Sequence, residues 1–344
     1  MPVQPLKGRR FNLTWANARR LVQTFFLLLF LILLVRTTLI GENSVTAGAT
    51  FFFDIDPLAL VTTWIASGTV LSDMLLALVT VGLTLVLGRF FCGWVCPLGA
   101  TFNAISMGAK PATPRLIRTG EWNQWQKGKY LLLIGLLAAA LTGLHLAGIF
   151  DPISLLYRTV ATSIFPAFVW GADRFFTWLY FADPGIGPLR VTLISEPIYS
   201  VLRNHVLTPE PVAYAGGVLI GLFFLGLAIM TLVQFRWWCR YLCPLGALLG
   251  TCSKTTRIEL HLDEAKCGQC NLCMAYCPGA CDPHLPGRWK KEECYLCFTC
   301  LEGCADGAIS FHWKGFRGTR QIIGPPASAE SVGSDVPLQT VDAE

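Results

Sequence analysis

Eight cysteines in the C-terminal third of the chain form two runs with the same spacing, CxxCxxCxxxC. Their positions are Cys267, Cys270, Cys273 and Cys277, then Cys294, Cys297, Cys300 and Cys304. Two-residue spacers let three sulfurs converge on one side of a small inorganic cluster, and iron accepts soft thiolate ligands. A zinc site would use separate CxxC pairs rather than an uninterrupted run repeated in tandem. The spacing therefore predicts two iron–sulfur sites rather than zinc sites or disulfides.

The two runs resemble the ligand pattern of bacterial two-cluster ferredoxins, in which the fourth cysteine of each run binds the other cluster. That resemblance implies that cluster I, a [4Fe-4S] cubane, uses Cys267, Cys270, Cys273 and Cys304. It implies that cluster II uses Cys294, Cys297, Cys300 and Cys277. Ala305 replaces the usual proline after the second run, which removes no ligand. Cys252 and Cys281 lie outside both runs and are interpreted as bystanders.

Most of the preceding chain has the composition of a membrane protein. Of its residues 53% are apolar and 14% charged, and the mean hydropathy is +0.52. A bilayer core of roughly 30 Å takes about 20 apolar residues as a helix. Four spans are predicted on this basis: Leu21 to Leu34 with its flanks, Leu71 to Leu87, Tyr130 to Phe150 and Val212 to Val233. The aromatic stretch Ile164 to Phe181 contains Asp173 and Arg174, and is predicted to lie at the membrane interface.

Basic residues near the span ends predict the orientation, since cytoplasmic loops carry an excess of Lys and Arg. They precede span one, separate spans two and three, and follow span four: Lys7, Arg9, Arg10, Arg19, Arg20; Lys110, Arg115, Arg118, Lys127, Lys129; Arg236, Arg240, Lys254, Arg257. Both termini and the cysteine-rich domain should therefore be cytoplasmic. These flanks also explain the net charge of +5, so no nucleic-acid partner is expected.

The predicted fold is an α-helical membrane protein with four spans arranged as two pseudo-repeats, followed by a small α+β domain of the two-cluster ferredoxin type. The expected parts are a basic cytoplasmic N-terminus (1–20) and a membrane domain (21–250) with an outer loop (151–211). They continue with a ferredoxin domain (258–316) and a disordered tail (317–344) rich in Pro, Ser, Gly and Ala.

An internal repeat supports the two halves. The segment from Phe91 to Ala100 returns from Trp238 to Ala247, and each copy contains CxxxCPLGA. Upstream of each copy lies an Asp-Pro pair, at Asp56 and at Asp151. Two halves of the same topology would be related by a pseudo-twofold axis along the membrane normal.

That symmetry would bring together Cys92, Cys96, Cys239 and Cys243. A third iron–sulfur cluster is the favoured interpretation. A redox thiol pair or transient metal site, and inert buried cysteines at helix ends, remain open as alternatives.

Asp56 and Asp151 also allow two interpretations. An Asp before Pro commonly caps a helix. A carboxylate at the outer interface can also accept a proton released when a quinol is oxidised, with Arg158 steadying the anion. His145 and His205 are further candidates for this quinol site.

The two CxxxCP elements, the predicted four spans and the eight-cysteine domain together resemble a family of membrane-bound polyferredoxins. This family includes NapH-like quinol dehydrogenase subunits, the methylamine-utilisation membrane ferredoxin and the membrane half of NosR-like proteins. The resemblance covers about residues 15 to 312. It implies a multi-pass protein of the bacterial inner membrane that exchanges electrons with the quinone pool. It also implies a redox partner, either a periplasmic or membrane-associated oxidoreductase or a cytochrome.

Two functions follow as expectations. The first is an electron-transfer subunit of a quinol dehydrogenase, which passes electrons between quinol and a partner through two [4Fe-4S] clusters. The alternative is an assembly or maturation factor, which supplies electrons to reduce a metal centre or thiol in a partner enzyme.

Overall fold

The computed structural model describes residues 15–39, 47–69, 72–107, 120–182, 185–186, 189–190, 196–197, 199–200, 216–285, 287–315 and 318–324. The protein is mainly helical. The α-helices are α1 Trp15–Leu39, α2 Ala47–Asp54, α3 Pro57–Ser67, α4 Ala77–Leu87, α5 Phe90–Trp94, α6 Pro97–Met107, α7 Gly128–Leu141, α8 Ala147–Phe150, α9 Pro152–Thr159, α10 Phe165–Ala182, α11 Gly217–Val233, α12 Trp237–Tyr241, α13 Pro244–Ser253, α14 Leu272–Ala275 and α15 Thr299–Gly303. Short 3-10 turns occupy Ser72–Leu76, Gln124–Lys127 and Lys291–Glu293, and a π-turn at Val160–Ile164 joins α9 to α10.

The two copies of the repeat fold alike. Asp56 caps α3 by accepting a hydrogen bond from the Leu58 amide at 2.8 Å, and Asp151 caps α9 through the Ser154 amide at 2.7 Å. In each case the proline that follows occupies the first helical turn, where its missing N–H costs nothing. Each CxxxCP element is likewise a short helix, a turn at the second cysteine and a helix that begins at the proline.

Two helical segments are long and apolar enough to cross a membrane, Trp15–Arg36 and Pro152–Ala182. The other predicted spans are shorter within the described residues. Ser72–Leu87 begins as a 3-10 turn, α7 ends at Leu141 before a turn with Gly143 at φ +80°, and α11 has 17 residues. The four-span arrangement therefore stays a prediction.

The stretch from Ile164 to Phe181 is helical. It continues directly from α9 through the π-turn, so that 31 residues form one helical segment long enough to span a membrane. Its position at the membrane interface stays a prediction.

The cysteine-rich domain contains a three-stranded antiparallel sheet, β3 Ile258–Leu262, β4 Ile309–Gly315 and β5 Gly318–Ile323, with β4 in the centre. A separate two-residue pair, β1 Gly185–Ile186 and β2 Leu189–Arg190, lies earlier in the chain. β5 corrects the predicted boundary at residue 316, because the supposed tail begins as a strand. Ile323 packs against the domain core, and this burial explains why the segment is ordered. Residues 325–344 of the tail lie outside the described part.

The helical region and the cysteine-rich domain have separate cores, and each core contains one aromatic side chain from the other region. Trp94, from α5, is buried in the core of the cysteine-rich domain. Tyr295, from between Cys294 and Cys297, is buried in the core of the helices. The Trp94 indole N–H donates to the Leu296 carbonyl at 3.0 Å. The two regions are therefore interlocked at the level of single side chains.

Candidate functional site

The eight cysteines of the C-terminal runs gather into the two sets implied by the ferredoxin pattern. Cys273 lies beside Cys270, Cys304 and Cys267, and Cys300 lies beside Cys297, Cys277 and Cys294. Burial, followed by these neighbouring thiols, raises the pKa of Cys273 to about 12. Each set thus holds three sulfurs from one run and the fourth sulfur of the other.

The four cysteines of the CxxxCP elements are all buried and lie close together. Burial, then the proximity of Cys92 and Cys239, raises the pKa of Cys96 well above its usual value. Burial, then Cys239 and Cys92, does the same to the pKa of Cys243. The repeat therefore brings two pairs of thiols to one site, as predicted.

Two arginines join the copies to each other, and sequence reasoning missed them. Arg236 precedes the second element and donates to the Cys92 carbonyl at 2.8 Å and the Gly99 carbonyl at 3.1 Å in the first. Arg89 precedes the first element, and its Nη2 atom would lie 2.6 Å from a Cβ added at Gly246 in the second. The signal was present, because Arg89 and Arg236 both stand three residues before the first cysteine of their copies.

A buried carboxylate from the cysteine-rich domain meets this site. Glu293 accepts from Arg89 Nη1 at 2.9 Å and from Lys129 Nζ at 2.5 Å, and all three side chains are excluded from solvent. The sequence predicts Lys129 as one of the charges that flank a span, and the structure adds that it is the buried partner of Glu293.

Tyr295 lies between the two arginines. The Arg89 guanidinium is 4.7 Å from the centre of its ring and that of Arg236 is 5.1 Å away, on a ring that is 1% exposed. Both distances are typical of cation–π contacts. Burial raises the pKa of Tyr295 well above its usual value, so the phenol stays neutral. Its hydroxyl has no hydrogen-bond partner among the described residues.

The charges around the four thiols do not balance. Arg89, Lys129 and Arg236 are buried near Cys239, and the buried carboxylate Glu293 pairs with Arg89 and Lys129. This single carboxylate does not balance the buried cations among the described residues, and buried charges require a counter-charge. Within the described part, Arg89 Nε and Nη2 also lack partners. A cluster held by four thiolates is an anion, so the donor set and its surroundings both fit an iron–sulfur cluster.

No three His, Cys, Asp or Glu side chains of the described residues lie close enough to share a single metal ion. Sulfurs that bind four different irons of a cluster stand further apart than sulfurs that bind one zinc ion.

The Asp56 and Asp151 side chains are buried and lie next to each other across the two copies. One oxygen of each caps its helix, whereas Asp56 Oδ2 and Asp151 Oδ1 have no hydrogen-bond partner in the described residues. Two buried carboxyl groups that lie side by side favour a state in which one of them keeps its proton. Both side chains cap helices, as the first interpretation predicts, and together they are a candidate proton-holding pair.

The other predicted quinol-site residues lie apart from this pair. Arg158 is exposed and forms no ion pair with either carboxylate in the described part, and His145 is exposed in the turn after α7. His205 lies outside the described residues. An apolar groove of about 640 Å³ lies instead between the π-turn and α11. Ser163, Thr162 and Thr159 contribute hydroxyls to it.

Cys281 also differs from expectation. Its sulfur lies 3.4 Å from that of Cys277, and a hydrogen bond between the two thiols lowers the pKa of Cys277 to about 7. Cys281, which is interpreted from the sequence as a bystander, therefore lies in contact with the cysteine set implied for cluster II. The sequence signal was its three-residue spacing from Cys277. Cys252 is half-buried on α13, outside the sets described above.

Comparison with known proteins agrees with this chemistry. A family profile described as a 4Fe-4S binding domain matches residues 70–111 and 216–260. An uncharacterized protein of Methanocaldococcus jannaschii is 27% identical over 296 residues, which cover 86% of this chain and 94% of that protein. The ferredoxin-type protein NapH of Haemophilus influenzae is 25% identical over 66% of this chain and 63% of its own. The methylamine utilization ferredoxin-type protein MauN of Paracoccus denitrificans is 25% identical over 67% and 62%.

The chain is similar to NapH-like ferredoxin-type proteins over about two thirds of its length. Each segment matched by the family profile contains one CxxxCP element. The 4Fe-4S description therefore falls on the two membrane-side elements, and the two C-terminal runs lie beyond the matched residues. No solved structure matches the chain.

Proposed function

We propose that this chain is a membrane-bound electron-transfer protein that carries electrons between quinol and a redox partner. Its electron carriers are two [4Fe-4S] clusters in the C-terminal domain and a third cluster held by the CxxxCP cysteines. When bound, these clusters supply one-electron transfer. The partner is a second redox protein. The clusters are held by the cysteines of the three groups described above.

The observation that carries the proposal is the contact between the cysteine groups. Tyr295 is bonded directly to Cys294 of the cluster II set and is buried beside the CxxxCP cysteines. Cluster II cysteines in turn neighbour Cys273 of the cluster I set. Three groups of thiols that neighbour one another in this order form a path for single electrons.

The third cluster is supported by charge. Arg89 and Arg236 are buried around four thiols, and Glu293, which pairs with Arg89 and Lys129, is the one buried carboxylate beside them in the described residues. If the thiols stayed neutral, the remaining positive charge would be buried without a counter-ion, at a cost of several kcal/mol for each cation. Four thiolates on a cluster remove that cost, whereas inert packing cysteines do not.

The quinol site is proposed in the groove between the π-turn and α11. Its volume of about 640 Å³ lies in the range of small-molecule sites, and its lining is mostly apolar. π-Turns inside helices are frequent at functional sites. Asp56 and Asp151, two neighbouring buried carboxyl groups, give the helical region a site that can hold one of the protons released from quinol.

The orientation follows from the basic flanks. Arg236, Arg240, Lys254 and Arg257 follow α11, and the positive-inside rule places such residues in the cytoplasm. The C-terminal domain would then exchange electrons on the cytoplasmic side of a bacterial inner membrane.

Iron and acid-labile sulfide per chain, measured on anaerobically purified protein, test the proposal. Three cubanes predict about twelve iron atoms, and the ferredoxin cubanes alone predict about eight. The Cys92→Ala/Cys239→Ala variant should lose about four iron atoms and keep the EPR signals of the other two clusters. A wild-type value near eight, unchanged in this variant, would reject the third cluster, and reduced clusters that cannot be reoxidised by a quinone would reject the quinone link.

A further inference from the structure

The geometry points to Cys281 as an interchangeable fourth ligand of cluster II, able to take the place of Cys277. This inference rests on the proposed cluster II site and assigns a fifth thiol to it. Cys281 is 3% exposed, and its sulfur lies 3.4 Å from Cys277 and close to Cys294. A disulfide would require about 2.05 Å, so the two sulfurs are in contact but not bonded.

The thiol of Cys281 contacts the proposed ligands of cluster II. Cys277 and Cys294 both belong to the cluster II set, and both thiols lie next to that of Cys281. The cysteine is almost fully buried and its thiol points at this set, with no other partner in the described residues. A cysteine that only fills space in the core would not need to contact two thiols of the same ligand set.

The backbone around Cys281 has the same conformation as the backbone around the second cysteine of each run, Cys270 and Cys297. Seven non-glycine residues of the described part have positive φ angles, and one of them is Arg236. The other six are the two neighbours of Cys270, of Cys297 and of Cys281, namely Gln269, Asn271, Leu296, Phe298, Ala280 and Asp282. Three cysteines therefore have a left-handed residue on each side: one proposed ligand of cluster I, one proposed ligand of cluster II, and Cys281.

The loop that carries Cys281 is anchored on both sides of it. The Lys290 amide donates to the Cys281 carbonyl at 3.0 Å. The Asp282 carboxylate accepts from Lys290 Nζ at 2.8 Å and from the Trp122 amide at 3.2 Å. The thiol is held against Cys277 by these contacts and does not reach it by chance.

Five thiols then share four iron positions. Each iron of a [4Fe-4S] cluster takes one thiolate, and Cys294, Cys297 and Cys300 occupy three of the positions. Cys277 and Cys281, in contact with each other, compete for the fourth. The thiol that is not bound remains protonated and donates a hydrogen bond to the bound sulfur, which is one way in which a protein sets a cluster potential.

Anaerobic iron and sulfide content, with EPR of the dithionite-reduced protein, tests the exchange. Cys277→Ala and Cys281→Ala should each keep cluster II, with a shifted midpoint potential, because the S–H···S hydrogen bond is lost in both. The double variant should lose about four iron atoms per chain. Cys304→Ala is the matched control, since no spare cysteine neighbours that fourth ligand of cluster I, and it should lose its cluster outright.

Loss of cluster II in Cys277→Ala alone, or in Cys281→Ala alone, would overturn the exchange by making one thiol the sole ligand. Retention of cluster II in the double variant would overturn it as well. An unchanged cluster I signal in each variant shows that the domain is folded. Cys297→Ala separates the two proposals. If this variant keeps cluster II, the proposed cluster II site is wrong. If it loses cluster II, the site stands and the other variants test only the assignment of Cys281.

Discussion

At the scale of single residues, the buried charges around the CxxxCP cysteines are the strongest constraint on what the site holds. Glu293 is 1% exposed and opposes both Arg89 and Lys129. It comes from the C-terminal domain, whereas both cations come from the helical region. One carboxylate therefore stabilises the site and joins the two regions.

Glu293→Gln should destabilise the protein strongly. The amide keeps the shape of the side chain but removes the negative charge, which leaves Arg89 and Lys129 buried without it. Breaking a buried pair in this way costs roughly 3–5 kcal/mol. Thermal unfolding of the cluster-loaded protein in detergent would measure the effect. Glu292→Gln, one residue away and only half-buried, makes the same charge change, and equal unfolding temperatures for the two variants would contradict the assigned role.

At the scale of elements, β5 decides where the C-terminal domain ends. It pairs with β4, whose residues Ile309 and Phe311 are buried in the domain core. Without β5, one edge of β4 loses its partner and Ile323 leaves the core.

A chain that ends after Gly324 should therefore keep the unfolding temperature and iron content of the full chain. A chain that ends after Gly315 should unfold at a lower temperature and lose iron from the C-terminal clusters. Iron analysis and thermal unfolding of the two truncations, compared with the full chain, would check this. Equal behaviour of both truncations would mean that β5 contributes nothing to the domain.

The groove beside α11 gives a second test at this scale. Ala228→Phe should fill it, because Ala228 lines the groove and phenylalanine is much larger. The rate of cluster reduction by quinol should then fall about tenfold or more, which corresponds to roughly 1.4 kcal/mol, while reduction by dithionite is unchanged. Leu232→Phe is the control, on the same helix, exposed and outside the groove lining. Similar rates in both variants would place the quinol site elsewhere.

Features set by neighbouring residues were predictable from the sequence, and features set by docking were not. The cysteine spacings determine which sulfurs converge locally, and the Asp-Pro pairs determine two helix caps. Tyr295 lies about two hundred positions from Arg89, and no local pattern marks their contact. The break after Leu141 and the π-turn before Phe165 depend on how the helices pack, so the span lengths and the continuity of α9 with α10 do not follow from the sequence pattern.

At the scale of the whole molecule, the interlocked cores hold the CxxxCP cysteines against the loop that carries Tyr295. The backbones meet at Gly93, where an added Cβ would collide with the Tyr295 carbonyl. The equivalent position in the second copy is Arg240, so only the first copy is shaped to receive this loop. Glycine is required here because the backbones touch, not because of its φ angle.

Gly93→Ala should separate the two regions without removing any proposed ligand. The collision involves backbone atoms, so the loop that carries Tyr295 must move away from the CxxxCP cysteines. Electron tunnelling slows exponentially with distance, so quinol should reduce the C-terminal clusters more slowly, although iron content and reduction by dithionite stay normal. Stopped-flow absorbance after quinol addition would measure the rate. Gly135→Ala, where nothing lies within 4 Å of the added carbon, is the control. If Gly93→Ala reduced its C-terminal clusters as fast as Gly135→Ala, electrons would not pass through the contact at Tyr295, and the CxxxCP site would not lie on the path to them.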